Sequence, residues 1–337
     1  MHKKLTVMNK LLSIIVPVYN TQDYISRCLD SLCIPEHLEQ IEVLVVIDGS
    51  PDQSITIANR YKEKHPGTFF VIDKENGGHG STINVGLECA TGKYIRVLDS
   101  DDWYDTKNMR IFLEKLQTET ADLIMTHMVK EYPNGNTLYE QPIKEHNRSY
   151  LVNDIITKID HRCFAMGRCT YKTEKLKEFG LKLLEKQSYE DTFLHIFPLV
   201  FLKSFVCYDI AIYHYFLDRP EQSVHQKMTK KHCLFWKNVI DQMCNFYLDY
   251  KKVFIPEVNS YILSTIGEII DNHYVKINEL PYFEAKKELA VYHNEVKSLP
   301  FYKEIERYKG IYYKMMPYSV FRISKHIWNY IYKLKNK

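Results

Sequence analysis

The sequence predicts an α/β protein, a doubly wound and mostly parallel sheet followed by a helical C-terminal extension. Three observations predict it. Four short apolar runs recur at residues 11–19, 41–47, 69–72 and 94–98, each near-continuous, as in strands buried on both faces of a parallel sheet. Between them apolar residues return with helical spacing, giving a β-α-β-α-β-α-β alternation. The runs also end in polar or acidic residues, Tyr19, Asp48, Lys74 and Asp99, at the sheet edge where ligands of open α/β sheets collect.

Each element follows from local chemistry. After the first strand, Ile25, Cys28, Leu29 and Leu32 form an i, i+3, i+4, i+7 stripe, hence a helix. The second strand terminates in Asp48-Gly49-Ser50. Ser50 as cap, Pro51 at the first helical position and Gln53 three residues after the cap predict a helix start there. That helix turns Ile55, Ala58 and Tyr61 inward and stops near His65-Pro66-Gly67. The third strand leads into Asn76-Gly77-Gly78-His79-Gly80, then a helix through Asn84 and Leu87 that ends at Gly92. The glycine stretch matches neither a Walker loop nor GxGxxG, so it reads either as room for a ligand or as a strand-to-helix turn. Further on, Glu190-Asp191 precede an apolar helix at 193–200, and Tyr213-His214-Tyr215 form a strand. From 229 the chain reads as helices rich in Tyr, Phe and Lys, broken near Pro256, Pro281, Pro300 and Pro317.

Composition bounds the function. A hydrophobic content of 45% and a charged content of 26% over 337 residues describe a globular chain with material for a large core. The net charge of +3 argues against a nucleic-acid partner. Residues 301–337 nevertheless carry nine Lys or Arg against Glu304 and Glu306, a local +7 that leaves −4 for the rest. Eight cysteines without a CxxC pair imply buried free thiols in a reducing compartment. His161, Cys163 and Cys169 fit no zinc spacing. The apolar N-terminal run contains Pro17 and lacks a small-residue cleavage site, so it reads as a strand, not a leader. No uninterrupted apolar run reaches membrane-spanning length, so the expected location is the cytoplasm.

The fourth strand runs straight into Asp99, Asp101 and Asp102. That much negative charge at a buried strand end is unfavourable unless a cation or hydrogen-bond donors neutralise it. Asp99 and Asp101 can reach a common point, and hard oxygen ligands suit Mg²⁺ or Mn²⁺. On the residues alone, a solvated turn capping the next helix through Asp102 or Asp105 is equally open.

The segments VPVYN (16–20), IDGSPDQS (47–54), NGGHGSTINVG (76–86), ATGKYIRVLDSDDW (90–103) and YEDTF (189–193) resemble family 2 glycosyltransferases of the GT-A fold, over residues 10–225 and in the family's order. The resemblance implies an inverting transfer from a nucleotide-diphosphate sugar, with a UDP-linked donor expected. Residues 10–228 would form the GT-A domain, with a nucleotide-sugar half at 10–105 and an acceptor half at 106–228; 229–337 would be the helical region. It also implies that Pro17 and Tyr19 line the nucleoside pocket, that Asp48 contacts the base, and that Asp99 and Ser100 face the donor. Asp101, with Asp99, would ligate the metal, and Asp191 would be the general base. Arg219, in a loop after the Tyr-x-Tyr strand, would contact phosphate, with His225 a remote further metal ligand. Two positions depart from the pattern. Ile47 stands where an acid is common, and Thr82-Ile83-Asn84 where Ala-Arg-Asn is common, leaving Lys74 or His79 as the cationic replacement.

The tail completes the expectation. Val320, Ile323, Ile327, Tyr330, Ile331 and Leu334 share one helical face, and Arg322, Lys325 and Lys333 the other. Such a basic amphipathic helix at 318–337 suits the anionic inner face of a cell membrane, and so a glycan or lipid-linked acceptor of cell-surface polysaccharide synthesis. Packing on the core or on a second subunit of a homo-oligomer is the alternative. Two other functions stay open on sequence: a nucleotidyltransferase, which ordinarily needs a basic glycine loop, and a non-catalytic nucleotide-sugar-binding subunit. A hydrolytic pairing of Asp101 with Asp191 is formally open as well.

Overall fold

The computed structural model describes residues 10–141, 143, 147–156, 159–217 and 228–308. The chain divides into two compact units, Met1–His225 and Gln226–Lys337. The first holds β1 (Leu12–Val18), α1 (Ile25–Asp30), β2 (Ile41–Asp48), α2 (Ser54–Lys64), β3 (Phe69–Lys74), α3 (His79–Cys89), β4 (Tyr94–Val97), β5 (Trp103–Tyr104) and α4 (Thr106–Thr118). It continues with β6 (Leu123–Glu131), β7 (Thr137–Glu140), β8 (Ser149–Leu151), α5 (Val152–Ile155), β9 (Cys169–Lys172), α6 (Thr173–Glu178), α7 (Phe197–Phe201) and β10 (Ser204–Phe216).

One ten-stranded sheet runs in the order β3-β2-β1-β4-β9-β6-β10-β5, with β7 beside β6 and β8 beside β10. Strands β3, β2, β1 and β4 are parallel, with Leu12 between Ile41 and Tyr94 in register. All of β1 and β2 is buried, which is why both read as near-continuous apolar runs, the exceptions Ser13 and Glu42 bonding to each other. Beyond β4 the pairing becomes mixed: β9 lies antiparallel to both β4 and β6, and β10 runs parallel to β6. The mostly parallel sheet expected from the sequence is therefore present.

One boundary differs from the sequence reading. Helix α2 begins at Ser54, not just after Ser50. Ser50 Oγ instead accepts from the Asn20 amide at 2.8 Å and donates to Asp52 Oδ1 at 2.7 Å. Asp52 Oδ1 also accepts from the Ser54 amide at 3.0 Å. The serine is thus drawn sideways to the neighbouring strand end, and Asp52 satisfies the first turn. Similarly, Glu190 and Asp191 open a short 3₁₀ turn, Glu190–His195, before α7, in place of a continuous helix at 193–200.

The second unit contains α8 (Lys230–Tyr250), α9 (Pro256–Ile277), α10 (Tyr282–Ser298) and α11 (Tyr302–Tyr308). Pro256 is the first residue of α9, and Pro281 is the N-cap of α10, as expected of a residue with fixed φ and no amide hydrogen. Among the described residues no helix is long and apolar enough to cross a membrane. Pro317 and the amphipathic stretch at 318–337 lie outside the described residues.

Candidate active site

The site is built where β1, β2, β3 and β4 end. Leu98 extends β4 beside β1, its amide bonded to Ile15 O at 2.9 Å, and the chain then turns through Asp99, Ser100, Asp101 and Asp102. The three carboxylates differ in environment. Asp102 is fully buried; the Tyr213 hydroxyl donates to its Oδ2 at 2.6 Å and the Phe216 amide to its Oδ1 at 2.8 Å. Burial, reinforced by Asp101 and Asp99, pushes its carboxyl well above the ordinary range, against the hydrogen bonds from Tyr213 and Phe216, and both of its oxygens are taken up in holding the loop. Asp99 is about one-third exposed (34%), and its Oδ2 accepts from the same Tyr213 hydroxyl at 3.2 Å. The backbone carbonyl of Asp101 accepts from Arg27 Nη2 at 2.9 Å. The Arg27 guanidinium in turn stacks 3.7 Å over Trp103, which stacks on His214 from β10. Thr21, just after β1, donates to Ser100 Oγ at 3.0 Å. The Asp-rich loop is therefore fixed from three sides.

The glycine turn is organised by Asp48. Its Oδ1 accepts from Lys74 Nζ at 2.6 Å and from the Gly77 amide at 2.8 Å; its Oδ2 accepts from the Gly78 amide at 2.8 Å. Lys74 Nζ also donates to Glu75 O at 2.6 Å and Ser81 Oγ at 2.8 Å. The carboxylate and the ammonium thus neutralise each other within the turn.

At the start of α3, His79 bridges two carboxylates: Nε2 lies 3.1 Å from Asp99 Oδ1, and Nδ1 lies 2.7 Å from Glu190 Oε1. Burial acts to lower the imidazole's affinity for a proton. The hydrogen bonds to Asp99 and Glu190 and their charges outweigh it, holding the ring well above its usual range. Asp191, next to Glu190, is raised to about 6, first by burial and then by the Glu190 charge, with His79 acting in the opposite direction. A carboxylate near 6 is ionised at neutral pH yet more basic than an exposed one, which suits general-base work.

Against this geometry, residues 13–178 match the model of the glycosyl transferase family 2. EpsH of Bacillus subtilis, assigned as a glycosyltransferase, is 31% identical over 230 residues, 65% of this chain and 64% of that protein. Residues 13–178 form a family 2 glycosyltransferase domain. Glycosyltransferase GlyA of Streptococcus pneumoniae is 36% identical over 170 residues, covering 50% of this chain and 23% of that protein. The poly(ribitol-phosphate) beta-glucosyltransferase of Bacillus spizizenii is 33% identical over 172 residues, 50% of this chain and 26% of that protein. The matches thus span less than two thirds of each of these relatives' own lengths. In three dimensions, TarS 1-349 of S. aureus, solved in complex with UDP-GlcNAc, superposes with a TM-score of 0.59 at 19% identity, covering 87% of this chain and 92% of that chain. The likeness shows a shared fold.

Within the glycosyltransferase domain, the residues singled out by sequence fall into two groups. Pro17 lies in β1, and Tyr19, Asp48, Lys74, Asp99, Ser100 and Asp101 stand at or beyond the ends of the parallel strands. The Glu190–His79–Asp99 bridge brings the segment of Asp191 to the same edge. Tyr19 is open to solvent (53%) and available to a ligand, whereas Asp48 and Lys74 are engaged with each other. Arg219 and His225 lie outside the described residues. Sequence reasoning gave no role to Arg27, Tyr213 or Glu190, and weighed His79 only as a contact to the nucleotide. Their partners are distant in sequence; His79 and Glu190 are 111 positions apart, so no local pattern announces the contact.

Among the described residues no group of three or more His, Cys, Asp or Glu side chains is arranged to hold a metal ion. The donor chemistry at Asp99 and Asp101 nonetheless fits a hard divalent cation that completes its shell with water and phosphate oxygens, the usual habit of Mg²⁺.

Proposed function

We propose that this chain transfers a sugar, with inversion, from a UDP-linked donor to a hydroxyl of a glycan or lipid-linked acceptor. The observation that carries the reading is Asp191, a carboxylate raised to about 6 and tied through Glu190 and His79 to the Asp-rich loop. A sugar hydroxyl is a weak nucleophile. Asp191 takes its proton as the new bond to the anomeric carbon forms on the face opposite the leaving group, and the bond from that carbon to the phosphate oxygen breaks. Such base assistance is worth about 10²–10⁴-fold. Asp101 and Asp99 would hold Mn²⁺ or Mg²⁺, whose positive charge stabilises the departing nucleoside diphosphate when the ion is bound. Tyr19 and Pro17 would flank the nucleoside, and Ser100 would face the donor. Asp48, saturated by its own turn, would shape the base pocket through the backbone it orders.

Two comparisons support the finer choices. The neighbour TarS was solved with UDP-GlcNAc and with UDP, which favours a uridine donor here. The Bacillus spizizenii relative acts, by its name, on a poly(ribitol-phosphate), which favours a cell-surface polymer or its lipid-linked precursor as acceptor. The test is a panel of nucleotide sugars incubated with the protein, with and without Mn²⁺, and assayed for nucleoside diphosphate release. One UDP-sugar should stand out, and only with metal. Release from every donor alike, or from none, would contradict the reading.

A further inference from the structure

The glycine turn has a neighbour that the donor reading does not use. Residues 183–191, which end in Asp191, lie directly on it. Asn84 grips Leu183 from both sides: its Oδ1 accepts from the Leu183 amide at 2.8 Å, and its Nδ2 donates to the Leu183 carbonyl at 2.9 Å. The Lys186 amide donates to Gly77 O at 2.6 Å. His79 holds Glu190 at 2.7 Å. The glycines are needed for this approach. A Cβ on Gly80 would overlap Leu184 O and lie 2.9 Å from Glu190 Cγ, and one on Gly78 would lie 3.1 Å from the Lys186 amide nitrogen. The docked loop is also held out of its relaxed shape, because Lys186 and Tyr189 have φ of +56° and +71°. Side chains other than glycine adopt such angles rarely and only where their surroundings impose them.

We propose that residues 77–84 are the seat of the loop that carries the general base, with His79 and Asn84 as positioning residues for Asp191. The inference rests on the reading of Asp191 as the base. It gives the glycine stretch a function distinct from cradling phosphate: close packing of one loop on another. His79 occupies the central place, because its second nitrogen reaches Asp99 and so fixes the base loop relative to the donor-side loop. Glu190, buried and unable to reach solvent, is the anchor beside the base and not itself the base.

The test uses the full chain with His79→Ala, His79→Gln, Asn84→Ala and Asp191→Asn. Hydrogen exchange of amides in 183–191 should quicken at least about tenfold in His79→Ala and Asn84→Ala, since each loses hydrogen bonds that hold the loop. UDP affinity in the presence of Mn²⁺ should be unchanged in Asn84→Ala, whose side chain bonds only to the docked loop. The kcat for UDP release from UDP-GlcNAc or UDP-glucose, whichever turns over, should fall about 100-fold, the usual effect of displacing a reacting group by about 1 Å. His79→Gln, which keeps a hydrogen-bonding arm, should recover part of the loss. Unchanged exchange at 183–191, or a weakened UDP affinity with kcat intact, would overturn the proposal and place His79 on the donor. Asp191→Asn should keep wild-type exchange and UDP affinity while losing turnover. If it turns over normally, the base assignment fails, and the exchange data still decide whether 77–84 seats the loop.

Discussion

Asp191 is the residue on which the proposed chemistry depends, and its environment makes a pH prediction. Burial and the Glu190 charge raise its carboxyl to about 6. A base must be ionised to accept a proton, so turnover should be flat above about pH 7 and fall roughly tenfold per unit below 6. A profile with its acid limb near 4, the value of an exposed carboxylate, would remove the raised base from the mechanism. The neighbouring aspartates separate by burial. Asp101→Ala should abolish the response of donor turnover to Mn²⁺, while Asp102→Asn should keep it, because Asp102 is spent on Tyr213 and Phe216. Metal titrations of the two variants decide between them. The strand-end aspartates were legible in the sequence because charge after an apolar run needs an explanation wherever it occurs. Their division of labour was not, since it depends on Tyr213, which reaches both Asp99 and Asp102 from a strand 111 positions or more along the chain.

The helices and strands were legible where burial is two-sided. Strands β1 and β2 are mostly apolar because both faces are covered, and their parallel pairing follows from the helix between them. Strands β5, β6, β7, β8 and β9 were not foreseen. All but the nine-residue β6 span four residues or fewer, and β9 inserts antiparallel between β4 and β6, a long-range choice that no local pattern encodes. Caps give a stability prediction at this scale. The Asp105 side chain accepts from the Asn108 amide at 2.7 Å and starts α4, so Asp105→Ala should cost about 1 kcal/mol in denaturant unfolding. The glycine turn gives another. Gly80→Ala would drive a methyl group into the Leu184 carbonyl oxygen, whereas nothing lies within 4 Å of a Cβ at Gly67. Thermal melts should show Gly80→Ala destabilised by roughly 1–3 kcal/mol and Gly67→Ala near wild type.

At the scale of the molecule, the charge distribution sets the expected surroundings. The +7 concentrated in residues 301–337 of a chain whose net charge is only +3 is the feature behind a proposed attachment to an anionic surface. Sedimentation with phosphatidylglycerol vesicles should carry the protein down at low salt and release it at high salt, and removal of residues 318–337 should abolish the effect. Binding that survives both changes would refute attachment through the tail. The proposed sugar transfer stands or falls with Asp191 as its base. UDP-sugar turnover of the wild-type protein, compared with that of Asp191→Asn at pH 8 in the presence of Mn²⁺, measures that role. A base at this position requires a loss of about 10²–10⁴-fold with UDP affinity retained; undiminished turnover in the variant would rule it out.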